Sequence, residues 1–98
     1  MNLKTRRIAE LDRVIHEPGR LMIVALLSAV EQADFLYLQH ETEMNKGTLS
    51  SHLSKLEDAG YIEVTKTYRG KIPQTLLRLT AEGRQAFQQY RRRMKEAL

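Results

Sequence analysis

The sequence predicts a mainly α fold carrying one small β-hairpin, and three observations lead there. Helical apolar spacing recurs in four stretches, at residues 8–15, 21–30, 49–56 and 87–94. Between the third and fourth, residues 61–68 and 74–79 change to alternating apolar and polar side chains around a glycine-containing turn. With 98 residues, 42% of them hydrophobic, the chain is expected to form one domain over 1–98, with one modest core and no separate sensor domain.

Each element has its own local reason. An N-terminal helix is expected over 1–17, because Ile8, Leu11 and Ile15 fall at i, i+3 and i+7 with Val14 beside them. Pro18 suits the first turn of a second helix, which carries Leu21, Ile23, Val24, Leu26, Leu27 and Val30 and is apolar most of the way round. That one should be the central buried helix. Residues 34–38 fit a short strand or a helix start equally well. Asn45, Lys46 and Gly47 are expected to make a tight connection into a helix over 45–59, with Asn45 as its N-cap and Gly60 just past its end. Leu49, Leu53 and Leu56 give this helix one narrow apolar stripe, while Thr48, Ser51, Ser54 and Lys55 occupy the opposite arc. A hairpin over 61–79 follows, with Ile62 and Val64 inward, a turn over 69–73 and a return strand from Gln74 that places Leu77 and Leu79 on one face. Gly70 allows the positive φ that a tight tip needs. Thr80 should cap a last helix over 80–98, striped by Phe87, Tyr90 and Met94.

Composition removes several function classes. The longest apolar run, residues 21–27, is far too short to span a bilayer, and Glu10, Asp12 and Arg13 interrupt any signal-peptide core. A cytoplasmic protein is the expectation. There is no cysteine, hence no disulfide, thiolate nucleophile or thiolate metal site. His16, His40 and His52 show no metal-ligand spacing, Ser50, Ser51 and Ser54 have no visible base, and no glycine loop would cradle a phosphate. Neither an enzyme nor a cofactor or metal is expected.

Charge points toward an anionic partner. The net charge is +4, but residues 21–44 carry −4 while residues 45–71 carry +2 and residues 84–98 carry +4. On the helix over 45–59, Thr48, Ser51 and Lys55 would meet base edges or phosphates, and Asn45 and Lys46 would touch the backbone at the helix entrance. His52 sits at the edge of that face. Small polar residues suit a major groove about 12 Å wide. Arg69 and Lys71 flank Gly70, so two cations stand on a narrow tip that can reach a minor groove. Ile8, Leu11, Ile15, Phe87, Tyr90 and Met94 form more apolar stripe than a small core can cover, which points to a homodimer packed through the terminal helices. The arginine run at residues 91–93 fits a solvated helix face.

The sequences LSSHLSKLEDAGYI (residues 49–62), RGK (69–71) and LTAEG (79–83), in that order and spacing, resemble the winged-helix DNA-binding domains of MarR-like regulators. The likeness extends from about residue 11 to residue 98 and is nearest to short single-domain members. It implies a winged helix-turn-helix fold with a one- or two-residue strand near Phe35 pairing with the hairpin, and a supporting helix from about Tyr37 to Glu43. It also implies a sequence-specific regulator of transcription that binds double-stranded DNA as a homodimer. Related regulators often place a His or Arg at the position of His52, touching phosphate, and often bind a small-molecule effector between reading domain and dimer helices. No effector pocket is assigned from this sequence. The alternative is a winged-helix protein-interaction module without DNA binding.

Overall fold

Five helices and a three-stranded antiparallel sheet make up the chain, in a computed structural model that describes residues 2–98. The elements are α1 (Leu3–Ala9), α2 (Pro18–Ser28), β1 (Ala33–Asp34), α3 (Phe35–Thr42), α4 (Lys46–Asp58), β2 (Ile62–Arg69), β3 (Ile72–Leu79) and α5 (Ala81–Ala97). This is the α+β winged-helix arrangement. Strand order is β1-β3-β2, so β3 is central and β2 forms the free edge of the wing.

Side-chain caps fix where most helices begin. Pro18 opens α2 behind Glu17, whose carboxylate accepts from Gly19 N–H. Asp34 accepts from Tyr37 N–H at 2.7 Å, so α3 starts at Phe35, two residues before the expected point. Asn45 accepts from Thr48 N–H at 2.8 Å, which places Lys46 and Gly47 inside α4 rather than in the connection before it. The chain turns from α3 to α4 through Glu43 in the left-handed region, φ 57°. Thr80 accepts from Gly83 N–H at 3.0 Å and opens α5. Each such contact satisfies an N–H that helix geometry leaves without a partner.

The first helix is shorter than the apolar spacing predicts. It ends at Ala9, and residues 10–17 are turns. The reason is Asp12, whose Oδ1 accepts from Val14 N–H at 2.8 Å and Ile15 N–H at 3.2 Å and so offers the backbone an alternative to the helix. Leu11 and Ile15 still point inward, but from a turn.

In the wing, Ile62 pairs with Leu79 and Arg69 with Ile72, leaving only Gly70 and Lys71 in the turn. Ile72 and Pro73 therefore belong to the return strand, not the loop. Gly70 has φ 64° and Lys71 is not in the positive-φ region, the pattern of a type II′ hairpin turn. Pro73 faces Tyr68, one step beyond the hydrogen-bonded pair next to the turn, so its missing N–H costs the ladder nothing. The expected short strand is present as β1, pairing Ala33 with Leu77 and Asp34 with Leu76.

Two apolar clusters hold these parts. The larger joins Ile23, Val24 and Leu27 of α2, Leu38 of α3, the stripe Leu49, Leu53 and Leu56 of α4, and Ile62, Leu77 and Leu79 at the wing root. The smaller is Leu11, Ile15 and Tyr90. Tyr61 and Phe87 pack against both. Tyr61 also accepts Thr80 N–H on its carbonyl at 3.0 Å and gives its hydroxyl hydrogen to Asp12. A Cβ at Gly83 would fall inside contact distance of the Tyr61 carbonyl oxygen, a backbone atom unable to step aside. Among the described residues no helix is long and apolar enough to cross a membrane.

Two outcomes follow at this junction. Gly83→Ala should lower stability by about 2–4 kcal/mol in chemical denaturation, despite alanine's better helix propensity, as overpacking against rigid neighbours does. Burial, and then the neighbouring Asp12 carboxylate, push the Tyr61 phenol up to about 12 from 10.0. A pKa raised in the folded state means the folded chain holds this proton more tightly. The stabilisation is whole below pH 10 and is lost as pH rises from 10 to about 12. Tyr61→Phe should flatten that alkaline loss in unfolding measured against pH.

Candidate nucleic-acid interface

The three leucines that anchor α4 determine what its other side presents. Leu49 and Leu56 are fully buried and Leu53 is nearly so, which turns Gly47, Thr48, Ser51, Ser54, Lys55 and Asp58 to solvent. Lys46 and Ser50 are exposed as well. The amino-terminal half of this surface is uncharged or cationic, and the two carboxylates, Glu57 and Asp58, lie in the last turn. The exposed N–H end of the helix adds partial positive charge on the same side as Lys46. Arg69 and Lys71 are exposed on either side of Gly70 at the wing tip. Seven of the eight expected contact residues are thus on the surface: Asn45, Lys46, Thr48, Ser51, Lys55, Arg69 and Lys71.

His52 is the exception. Its side chain is 18% exposed and turns toward α2, with Nδ1 3.2 Å from Glu17 Oε2 and 3.3 Å from Arg20 Nη1. The ring lies against Gly19, where a Cβ would come within 2.6 Å of Nε2. Arg20 itself donates from Nε to Val14 O at 2.6 Å. Glu17 Oε2 is buried between Arg20 and His52 without hydrogen-bond geometry to either. Glycine at 19 makes room for the imidazole, and the charged partners hold it there. His52 belongs to the seam between α2 and α4, apart from the outward arc that carries Thr48, Ser51 and Lys55.

The terminal helices also depart from expectation. Leu11, Ile15 and Tyr90 are buried against one another within the chain, at 4%, 0% and 4% exposure, and offer a partner no surface. Phe87 and Met94 are half-buried beside them. His16 Nδ1 lies 2.7 Å from the Tyr90 hydroxyl, and burial raises the Tyr90 phenol above its ordinary range. Of the six expected dimer residues only Ile8 is substantially open, at 43%.

Tertiary packing adds cations that local sequence does not reveal. Arg13 and Arg20 border a shallow concavity with Lys55 of α4. Lys66 lies across from α4 on the wing, on the face that carries Ile62 and Val64. Its place in the alternation was the available signal. Arg13 and Arg20 had none, since folding alone brings them to α4. Among the described residues no group of His, Asp and Glu is arranged to hold a metal ion.

A family model described as a winged helix DNA-binding domain matches residues 20–98, and the chain belongs to that family. An uncharacterised protein of Methanocaldococcus jannaschii is 34% identical over 79 residues, covering 80% of this chain and 85% of its own. The solved structure of a transcriptional regulator homologue from Pyrococcus horikoshii superposes with a TM-score of 0.86 at 24% identity, over 95% of this chain and 91% of that one. A MarR-family transcriptional regulator from Silicibacter pomeroyi shares the fold with a TM-score of 0.68 at 18% identity, over 96% of this chain and 62% of that one. The likeness to MarR-type regulators is thus one of architecture as well as of motif.

Because His52 faces Glu17, His52→Ala should act on stability before it acts on DNA. Loss of about 1–3 kcal/mol is expected, since the ring packed against Gly19 would be lost and the polar groups of Glu17 and Arg20 left with one neighbour fewer. DNA affinity measured well below the melting temperature should fall less than for Lys55→Ala.

Proposed function

We propose that this winged-helix protein is a transcriptional regulator that binds specific double-stranded DNA sequences as a homodimer in the cytoplasm. One observation carries the DNA reading: α4 and the wing tip border the same groove, and their exposed cations, Lys46, Lys55, Arg69 and Lys71, have no ion-pair partner among the described residues. In this mode α4 enters a major groove with Thr48, Ser51 and Lys55 at base edges and phosphates. Asn45 and Lys46 meet the backbone at the helix entrance. Arg69 and Lys71 approach the adjacent minor groove, whose negative potential favours cations. Phosphate neutralisation supplies most of the affinity, and α4 supplies the preference among sequences.

The dimer is supported by the outer surface of α1 and α5, not by the buried stripe. Helix α1 has seven residues, none buried, a length that is marginal in water without tertiary cover. Leu3 and Ile8 on α1 and Leu98 after α5 are exposed at 60%, 43% and 81%. A two-fold mate packed here would cover them and set two α4 helices about 34 Å apart, one turn of duplex.

Fluorescence anisotropy with a labelled duplex from the protein's own upstream region, compared with scrambled DNA over a salt series, tests the proposal. Affinity should favour the native sequence and fall steeply with salt. Lys55→Ala and Arg69→Ala should each weaken binding about tenfold and, because a homodimer loses the cation twice, reduce the salt slope by about 2, with the fold intact by circular dichroism. If both variants bind like the parent, the assignment of α4 and the wing is wrong. Absence of DNA binding at low salt, together with one stoichiometric protein partner, would establish a protein-interaction module instead.

A further inference from the structure

Helix α4 has two flanks with different neighbours. Lys46, Ser50 and Ser54 line the groove beside the wing, whereas Lys55 lines the shallow concavity on the other side. The far wall of that concavity is Arg13 and Val14, from the turn between α1 and α2, together with Arg20. Arg20 is already committed, since its side chain is 12% exposed, donates to Val14 O at 2.6 Å and lies 3.3 Å from Glu17 Oε2. Arg13 is exposed and in no ion pair among the described residues. Its backbone is nevertheless pinned. Asp12 Oδ1 accepts from Val14 N–H at 2.8 Å and Ile15 N–H at 3.2 Å, and Asp12 Oδ2 accepts the Tyr61 hydroxyl hydrogen. Ile15, two residues on, is fully buried. Tertiary contacts thus hold a free guanidinium beside Lys55, and Asp58 is the one carboxylate that lines the same concavity.

A helix about 10–12 Å across fills a major groove about 12 Å wide, so a ridge of phosphates runs along each of its flanks. The wing crosses one ridge on its way to the minor groove and brings Lys66 and Arg69 over it. We propose that Arg13 serves the other ridge, binding a phosphate of the strand on the α2 side of α4 next to Lys55. The planar fork of a guanidinium matches two phosphate oxygens at once. The contact carries no base preference and sets the register of α4, gripped from both walls of the groove. This inference rests on the DNA-binding function proposed above and adds to it a residue outside α4 and the wing.

The test repeats the anisotropy salt series on the whole chain with Arg13→Gln, Arg13→Lys and, as a control for net charge alone, Arg92→Gln on α5. Arg13→Gln should weaken binding to native and scrambled duplex alike, by about tenfold, and lower the salt slope by about 2, since a homodimer loses the contact twice. Arg13→Lys should keep the slope, and Arg92→Gln should change neither quantity. Duplexes carrying one uncharged methylphosphonate at a time locate the contact. In each half-site one phosphate should be found whose neutralisation weakens the parent and leaves Arg13→Gln unaffected. An unchanged slope in Arg13→Gln, an equal change in Arg92→Gln, or the lack of such a phosphate would overturn the Arg13 contact. Losses at Lys55→Ala and Arg69→Ala would in that case still uphold the DNA reading. A parent chain that binds no duplex would overturn both.

Discussion

The junction at Tyr61 is the constraint on which the rest of the molecule depends. There α4 ends, the wing begins, α5 is capped and the turn made by Asp12 docks. The Tyr61 N–H donates to Leu56 O and its carbonyl accepts from Thr80, both at 3.0 Å, so both ends of the wing root are tied through one residue. The bare α-carbon of Gly83 lets α5 pass the Tyr61 carbonyl closely. The hydroxyl hydrogen bond to Asp12 then joins α4 and the wing to the segment leading from α1. Loosening this residue would free the wing, the end of α4 and the start of α5 together.

From that junction the orientation of α4 follows by exclusion. Three leucines are buried between α2 and the wing root, and each fully buried leucine contributes about 2–3 kcal/mol of transfer free energy. Nothing on the opposite arc approaches that magnitude, so the apolar stripe decides the rotation of the helix. The polar arc is carried outward as a consequence. It is free to vary in chemistry without cost to the fold, which is the condition a sequence-reading surface requires. The cations of the wing contribute little to stability in the same way, being exposed, and are available to a partner.

The seam between α2 and α4 shows the opposite arrangement. Glu17 and Arg20 bring charge into a partly buried site beside the His52 ring, where each polar group needs the others. Gly19 gives the imidazole its space. These residues fix how α4 is held, while Thr48, Ser51 and Lys55 determine what it can touch. One helix thus carries two kinds of polar residue, and its sequence does not distinguish them.

The caps were legible in the sequence. Asn45 and Thr80 act through an oxygen and an N–H three residues on, a contact that short-range geometry specifies. The leucine stripe of α4, the Gly70 turn and the alternation of the wing were legible for the same reason, because periodicity reports directly which face is buried. The extent of α1 was not, since the spacing of Leu11 and Ile15 is the same whether they are buried from a helix or from a turn capped by Asp12. The destination of an apolar stripe was also hidden. Leu11, Ile15 and Tyr90 have the spacing of an interface, yet distant parts of the chain bury them together. His52 differs from Ser51 by one step around a helix, and Glu17, 35 positions earlier in the chain, decides that it faces inward. The sequence alone determined the elements and their faces, through contacts a few residues apart. Only the tertiary structure decided which polar groups stay in water, because desolvation depends on partners that folding brings from far along the chain.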